Sequence, residues 1–368
     1  MSAEHTIVWW QNSLSIHQAP MIRALGQDQH VQNIVVALGG VSDERKKLGW
    51  STPDYGNAIV YITKDPQELA RLASEHRRCD VHVFSGIHAY REFEPISRML
   101  RAEPDTNVAA MSESWDFRGI KGLARKVMLT RRAARDHLNP TRILACGSPA
   151  RDQLVSAGYR TDLISPYGYF VDSGPRATTC CEQPPTILYV GQFIECKGVD
   201  ILLRALQQLT SHQWHCDLIG SGHLESGLRQ LADELDLEDR VTFHPPLSNT
   251  DTRGRISTSS VLVLPSRYDG WGVVVNEALS SGIPCVVTSA AGAHDLVAHN
   301  LQGRVVPPND RTALATAIMG VLQEERTQNH IDQLASWSET HIAPAVVSAY
   351  LTSLFFADGL SPVAPWSR

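Results

Sequence analysis

Short runs of strand-type apolar residues alternate with longer segments of helical period along the whole chain, and this alternation restricts the fold more than any other feature. In the first half the apolar runs are residues 6–10, 34–38, 58–62, 81–84, 108–111 and 142–145. In the second they are 186–190, 216–219, 241–243, 261–264, 285–288 and 303–306, with helix candidates at 198–209, 225–235, 274–281 and 311–324. Apolar strands separated by helices call for a parallel sheet covered on both faces. Two such series predict two doubly wound, Rossmann-like α/β domains, and 368 residues suffice for two separate cores. Pro, Gly and Thr cluster at 171–185, so the expected division is residues 1–172, residues 173–345, and a helix and tail over 346–368 returning to the first domain. Ligands of such sheets sit beyond the carboxyl ends of the strands, which predicts a site in the cleft between the domains.

Charge excludes some partners. With 33 Lys+Arg against 39 Asp+Glu, the net charge of −6 provides no general field for nucleic acid or an acidic surface. The halves differ, at +2 over residues 1–172 and −8 over 173–368. Seven irregularly spaced cysteines with no C-x-x-C pair argue against a disulfide framework and suit a reducing, cytoplasmic setting. No secretory leader or membrane span is read from the sequence. The most apolar stretch, 341–357, repeats Val347, Tyr350, Leu351, Leu354 and Phe355 at helical spacing, which reads as one helix face.

The most informative segment runs from Val261 to Pro284. A strand ends at Pro265, a loop carries Asp269, Gly270 and Gly272, and a helix carrying Glu277 follows. A glycine-rich loop entering a helix suits an anionic or hydroxyl-rich ligand. Asp269 and Glu277 can then face one cleft as acceptors for sugar and ribose hydroxyls; alternatively, Asp269 is a turn residue and Glu277 a solvated helix position. In Ile187–Leu206 a strand, a glycine turn and Lys197-Gly198 place a positive charge at a helix start, where a phosphate can be held, unless Glu195 and Asp200 neutralise the lysine.

These residues resemble the retaining GT-B glycosyltransferases of family 4. The matching pieces are Val190-Gly-Gln-Phe-Ile-Glu-Cys-Lys-Gly-Val-Asp, Leu218-Ile-Gly-Ser-Gly with the segment to Phe243, Pro265-Ser-Arg-Tyr-Asp-Gly-Trp-Gly-Val-Val-Val-Asn-Glu-Ala-Leu, and 303–310. Order and spacing hold over about 120 residues of the C-terminal half. In the first half the likeness rests on 79–85, 143–148 and 164–172. The resemblance implies a GT-B enzyme that moves a sugar from a nucleotide donor with retention, UDP being the nucleotide it favours. It assigns Glu277 to the donor ribose and Asp269, where the family usually has Glu, to the sugar hydroxyls, with the backbone of Gly270, Trp271, Gly272 and Val273. Lys197 falls to the diphosphate, beside Gly191 and Gln192. Gly220, Phe243 and His244 complete the implied donor site. Gln192 stands where the family commonly has arginine, so one positive charge is missing and Arg267 is the expected helper.

On the acceptor side, the loop after residues 6–10 lacks the family's glycines, and His17 is the candidate to line the cleft there. Ser112-Glu-Ser-Trp-Asp116 offers Glu113 and Asp116 as acceptor ligands and Glu113 as a base, or else a helix cap at Ser112 or Ser114. His82 and His88 read as core and loop residues, and His212 with His215 as a packed or surface pair. The chain has no D-x-D triplet, so neither a cofactor nor a metal-bridged diphosphate is expected.

Arg118, Lys121, Arg125, Lys126, Arg131, Arg132 and Arg135 occur with no acid among them and with Ile120, Leu123, Val127, Met128 and Leu129 interleaved. Such a basic amphipathic helix suits anionic lipid headgroups at the inner face of the cytoplasmic membrane, or is a solvated helix face. The absence of stacking aromatics disfavours nucleic acid. The expected acceptor is a saccharide or lipid-linked saccharide of the cell envelope or an exopolysaccharide. The alternative is a GT-B-like nucleotide-sugar binder or isomerase without transfer.

Overall fold

A computed structural model describes residues 4–47, 49–87, 90–103, 106–135, 140–178, 184–357 and 361–367. His88, Cys180, Cys181 and part of the expected linker lie outside these residues.

The first sheet contains β1 (His5–Gln11), β2 (Val31–Ala37), β3 (Ile59–Ile62), β4 (Val81–Phe84), β5 (Asn107–Ser112), β6 (Arg142–Cys146) and β7 (Ile164–Tyr167), all parallel, in the order β3-β2-β1-β4-β5-β6-β7. The second contains β8 (Thr186–Val190), β9 (His215–Ile219), β10 (Val241–His244), β11 (Val261–Leu264), β12 (Cys285–Thr288) and β13 (Gly303–Val306), also parallel, in the order β10-β9-β8-β11-β12-β13. Each order reverses once, between β1 and β4 and between β8 and β11. Connections leave in opposite directions at such a switch point, and the crevice they open is where a doubly wound sheet binds its ligand.

The helices of the first half are α1 (Ala19–Leu25), α2 (Asp43–Lys47), α3 (Pro66–Glu75), α4 (Glu94–Ala102), α5 (Gly119–Ala133) and α6 (Gly147–Ala157). Those of the second are α7 (Val199–Leu206), α8 (Glu225–Glu234), α9 (Asn249–Thr258), α10 (Val274–Ser280), α11 (Arg311–Gln323), α12 (Gln328–His341) and α13 (Pro344–Phe356). The predicted helix over 198–209 is α7 followed by a 3₁₀ turn at Gln207–Leu209. The central strands are buried on both faces: Val8–Gln11 and Val261–Leu264 are inaccessible on every residue, which explains their continuous apolar pattern. Strand β7 escapes a pattern-based reading because it is four residues long and contains Pro166; lacking an N–H, that proline is tolerated at the sheet edge where β7 lies.

One apolar cluster runs between the two sheets' domains, from Ile7 and Trp9 through Phe170 and Trp271 to Val275 and Leu351. Helix α13 buries Val347, Tyr350, Leu351 and Leu354, packs on α1, and donates the Tyr350 hydroxyl to the carbonyl of Pro166 at 3.0 Å. His82 is fully buried on β4, where its Nδ1 accepts from Trp10 Nε1 at 3.2 Å, and burial lowers its pKa to about 4. His215 lies against Thr242 and Asp217, and His212 against Ser211. Among the described residues no helix is long and apolar enough to cross a membrane.

Candidate active site

Both switch points open onto one cleft, which is lined by residues that follow β1, β2, β5, β7, β8, β9, β10 and β11. The β8 and β11 loops are fastened together by backbone. Arg267 N–H donates to the carbonyl of Cys196 at 2.7 Å, and Gly198 adopts a left-handed φ of 68° against the carbonyl of Pro265. A Cβ on Gly198 would collide with that carbonyl, so the glycine is required both for its φ and for the close approach. The consequence is chemical: Lys197 is carried over the β11 loop, and its Nζ lies 2.6 Å from Asp269 Oδ2. Ser266 Oγ donates to the same oxygen at 3.4 Å, and the backbone of Asp269 pairs with Ala290 and Ala291. Burial pushes the Lys197 ammonium down, but the charge and hydrogen bond of Asp269 outweigh it and leave its pKa above the ordinary lysine value.

Glu277 lies in the first turn of α10 and is largely buried, and its Oε1 accepts from Arg253 Nε at 3.4 Å. Burial raises its pKa above the ordinary carboxylate range, and the Arg253 charge opposes that shift. Lys197, Asp269 and Glu277, from three separate elements, line a cavity of about 490 Å³ together with Gly191, Gln192, Gly220, Trp271, Gly272 and Val273. The indole of Trp271 is anchored by Nε1 donating to Asn276 Oδ1 at 2.8 Å.

The opposite wall comes from the first domain. Glu113 follows β5 and projects into the cleft, where Tyr169 donates its hydroxyl to Oε1 at 2.7 Å. Its other oxygen presses on Gly270, where a Cβ would overlap it, so a glycine there permits the two domains to meet. The surrounding walls raise the Glu113 pKa, the Tyr169 bond lowers it, and the Asp269 charge raises it, with a net upward shift. Ser114 adds two contacts across the cleft, donating to the carbonyl of Asp269 and accepting from the Tyr268 hydroxyl. His17 stands edge-on to Trp50 with ring centres 4.6 Å apart; burial, then Arg45 and Arg253, lower its pKa to about 4, so it is neutral near pH 7. A second cavity of about 450 Å³ continues from Glu113 and His17 along Trp50, Tyr90, Trp115, Tyr169 and Tyr268.

Several expected ligands lie elsewhere. Arg267 is held by a bidentate pair with Asp200, at 2.7 and 2.6 Å, and by Asn309, and does not line the cavity. His244 is engaged by Asp217 at 2.8 Å, and Phe243 packs on Phe193 and beneath Arg229. Asp116 pairs with Arg118 at 2.8 Å and faces neither cavity. Gly270 shapes the rim through Glu113 and does not line the cavity that holds Lys197, Asp269 and Glu277. Conversely, Arg45, Trp50, Tyr169 and Thr252 line the cavity although no motif marks them, and Arg253 supports Glu277 from behind. Arg45 sits within the charge run Asp43-Glu-Arg-Lys-Lys, which reads as a solvated turn; its place after a strand beside the switch point was the available signal.

Comparison with known proteins agrees with this fold. Residues 176–336 match the family described as Glycosyl transferases group 1. The chain is 27% identical over 305 residues to the alpha-D-kanosaminyltransferase of Streptomyces kanamyceticus, covering 76% of each chain. It is 32% identical over 173 residues to the D-inositol 3-phosphate glycosyltransferase of Mycolicibacterium smegmatis, covering 45% of this chain and 39% of that one. With several curated relatives the match thus spans less than half of the relative's length. Among solved structures, Anabaena HepE in complex with UDP superposes with a TM-score of 0.70 at 16% identity, covering 95% of this chain and 98% of that one. The lipopolysaccharide outer core galactosyltransferase WaaB superposes with a TM-score of 0.68 at 15% identity, covering 96% of this chain and 100% of that one. Residues 176–336 thus carry the glycosyl transferases group 1, glycosyltransferase family 4, domain, and the two facing Rossmann-like domains give the chain the GT-B fold.

Proposed function

We propose that this protein transfers a sugar from a UDP-sugar to a saccharide or lipid-linked saccharide acceptor, with retention, in assembly of a cell-envelope or extracellular polysaccharide. The observation that carries the proposal is the meeting of Lys197, Asp269 and Glu277 in one cavity that faces Glu113 and His17 across the cleft. Glu277 accepts the ribose hydroxyls, Lys197 holds the diphosphate beside Gly191 and Gln192, and Asp269 with the Gly272–Val273 turn receives the donor sugar. As the glycosidic bond breaks, negative charge grows on the departing UDP, and a cation fixed in advance stabilises it without reorganisation. The aromatic second cavity suits a saccharide acceptor, whose C–H faces lie against rings while hydroxyls reach Glu113. The structure of HepE with UDP supports uridine as the donor nucleotide.

A screen of nucleotides by thermal denaturation tests this reading. At a concentration about 100 times its Kd, a ligand that binds only the folded chain stabilises it by about 2.7 kcal/mol. UDP and a UDP-sugar are expected to raise the midpoint and GDP or ADP is not; incubation with the UDP-sugar should also release UDP slowly without acceptor. A rise with GDP alone would discard the uridine assignment, and binding without any UDP release would favour a binder.

We further propose that α5 holds the protein against an anionic membrane on the cytoplasmic side. Its Ile120 and Leu123 are 89% and 62% exposed, Val127 and Met128 project on the same surface, and the helix has no acid in its first turn. Each favourably placed cation contributes about 1 kcal/mol near an anionic surface, and the apolar residues add insertion. Co-sedimentation with phosphatidylglycerol vesicles is expected for the native chain. It should weaken at least tenfold for Lys121→Glu/Lys126→Glu and again for Ile120→Asp. Equal binding to neutral phosphatidylcholine vesicles would reject an electrostatic dock.

A further inference from the structure

We propose that Arg45 supplies the second positive charge for the donor diphosphate, reaching it from the opposite domain. The inference rests on the UDP-sugar reading and concerns how this chain manages without a cation at Gln192. Among the residues lining the larger cavity the cations are Lys197 and Arg45, and the acids are Glu113, Asp269 and Glu277, with His17 neutral. The Lys197 charge is already matched by Asp269 at 2.6 Å. Arg253 is directed to Glu277 and Arg267 to Asp200. A diphosphate entering that cavity brings at least two negative charges to a wall that is itself acidic, and Arg45 alone among these cations has no carboxylate partner in the described residues.

Arg45 is also held ready for a ligand. Its Nη1 donates to Ser13 Oγ at 2.5 Å, and its guanidinium lies 4.7 Å from the centre of the Trp50 ring. Two anchors, one polar and one aromatic, fix the plane of the guanidinium. No described residue hydrogen-bonds its Nε or Nη2. A planar guanidinium with unengaged donors matches phosphate oxygens in a forked geometry that a lysine does not reproduce. Arg45 lines the acceptor-side cavity as well, so an anionic group on the acceptor is the competing use of the same charge.

Calorimetric titration of the native chain, Arg45→Met and Arg45→Lys with UDP and with uridine separates these uses. Methionine keeps an apolar stem over Trp50, and unchanged melting midpoints of the free proteins verify that the fold is retained. Arg45→Met is expected to lose UDP affinity by about 10- to 100-fold with uridine affinity unchanged, and Arg45→Lys to recover part of the loss. The salt dependence of UDP binding should also become shallower. Equal UDP affinity in Arg45→Met and the native chain overturns the proposal; if acceptor KM then rises in the variant, Arg45 belongs to the acceptor. Failure of the native chain to bind UDP would be a different result and would overturn the donor reading itself.

Discussion

Replacing Lys197 by alanine is expected to lower kcat for sugar transfer by a factor on the order of 10² to 10³, the scale found when one preorganised donor to a developing anion is removed. The ammonium is the one charge that the β8 loop delivers to the cavity, and its place is set by backbone contacts that do not depend on the side chain. The substitution also has a structural effect. Asp269 loses its ammonium partner in a site where its side chain is about 10% exposed, and a largely buried carboxylate left without its partner costs about 3 kcal/mol. A double variant separates the two effects. Lys197→Met/Asp269→Asn removes both charges and should regain most of the lost stability, since the penalty comes from the unpaired partner. Its activity should stay as low as that of Lys197→Ala. Recovery of activity along with stability would show that Lys197 acts only by holding the β11 loop.

The difference between what could be read from the chain and what could not follows from how each residue is placed. Lys197, Asp269 and Glu277 are legible because each lies on a short loop or first helical turn directly after a strand, and a parallel sheet brings such loops to one edge. Arg267 is misleading for a related reason. It stands in the same loop as Asp269, two residues earlier, yet its side chain turns to Asp200 on α7, a partner 67 residues away. His244 is similarly engaged by Asp217 on the neighbouring strand. Spacing along the chain shows which loops meet, and not which side chains already have partners there. Arg45 is the converse case: a charge run reads as solvent-facing, and only the fold shows that Trp50, five residues on, folds back beneath its guanidinium. The junction of Glu113 with Gly270 lies further beyond a sequence reading, because it depends on how closely two domains approach.

Glu277 carries the second large effect, and here pH and substitution should agree. A carboxylate that accepts two ribose hydroxyls makes charge-assisted bonds, so Glu277→Gln is expected to weaken UDP binding by about 10- to 100-fold. Because burial raises the Glu277 pKa, with Arg253 opposing, the carboxylate begins to protonate above the ordinary value of about 4.3. UDP affinity should therefore begin to fall at a higher pH than it would with an ordinary glutamate at this position. Stability responds with the opposite sign. A carboxyl whose pKa is higher folded than unfolded contributes stability that is fully present below the unfolded value and is lost as pH rises through the folded one. Ionised Glu277 is thus an unfavourable group in the free protein near neutrality, and on the proposed reading the donor ribose is the partner that offsets this. Isothermal titration from pH 5 to 8 on the native chain and on Glu277→Gln checks the argument. The variant should lose the part of the pH slope that belongs to residue 277, while UDP's own phosphate titration near pH 6 remains in both. Identical slopes in the two proteins would remove Glu277 from the ribose and leave its ion pair with Arg253 as a structural element of α10.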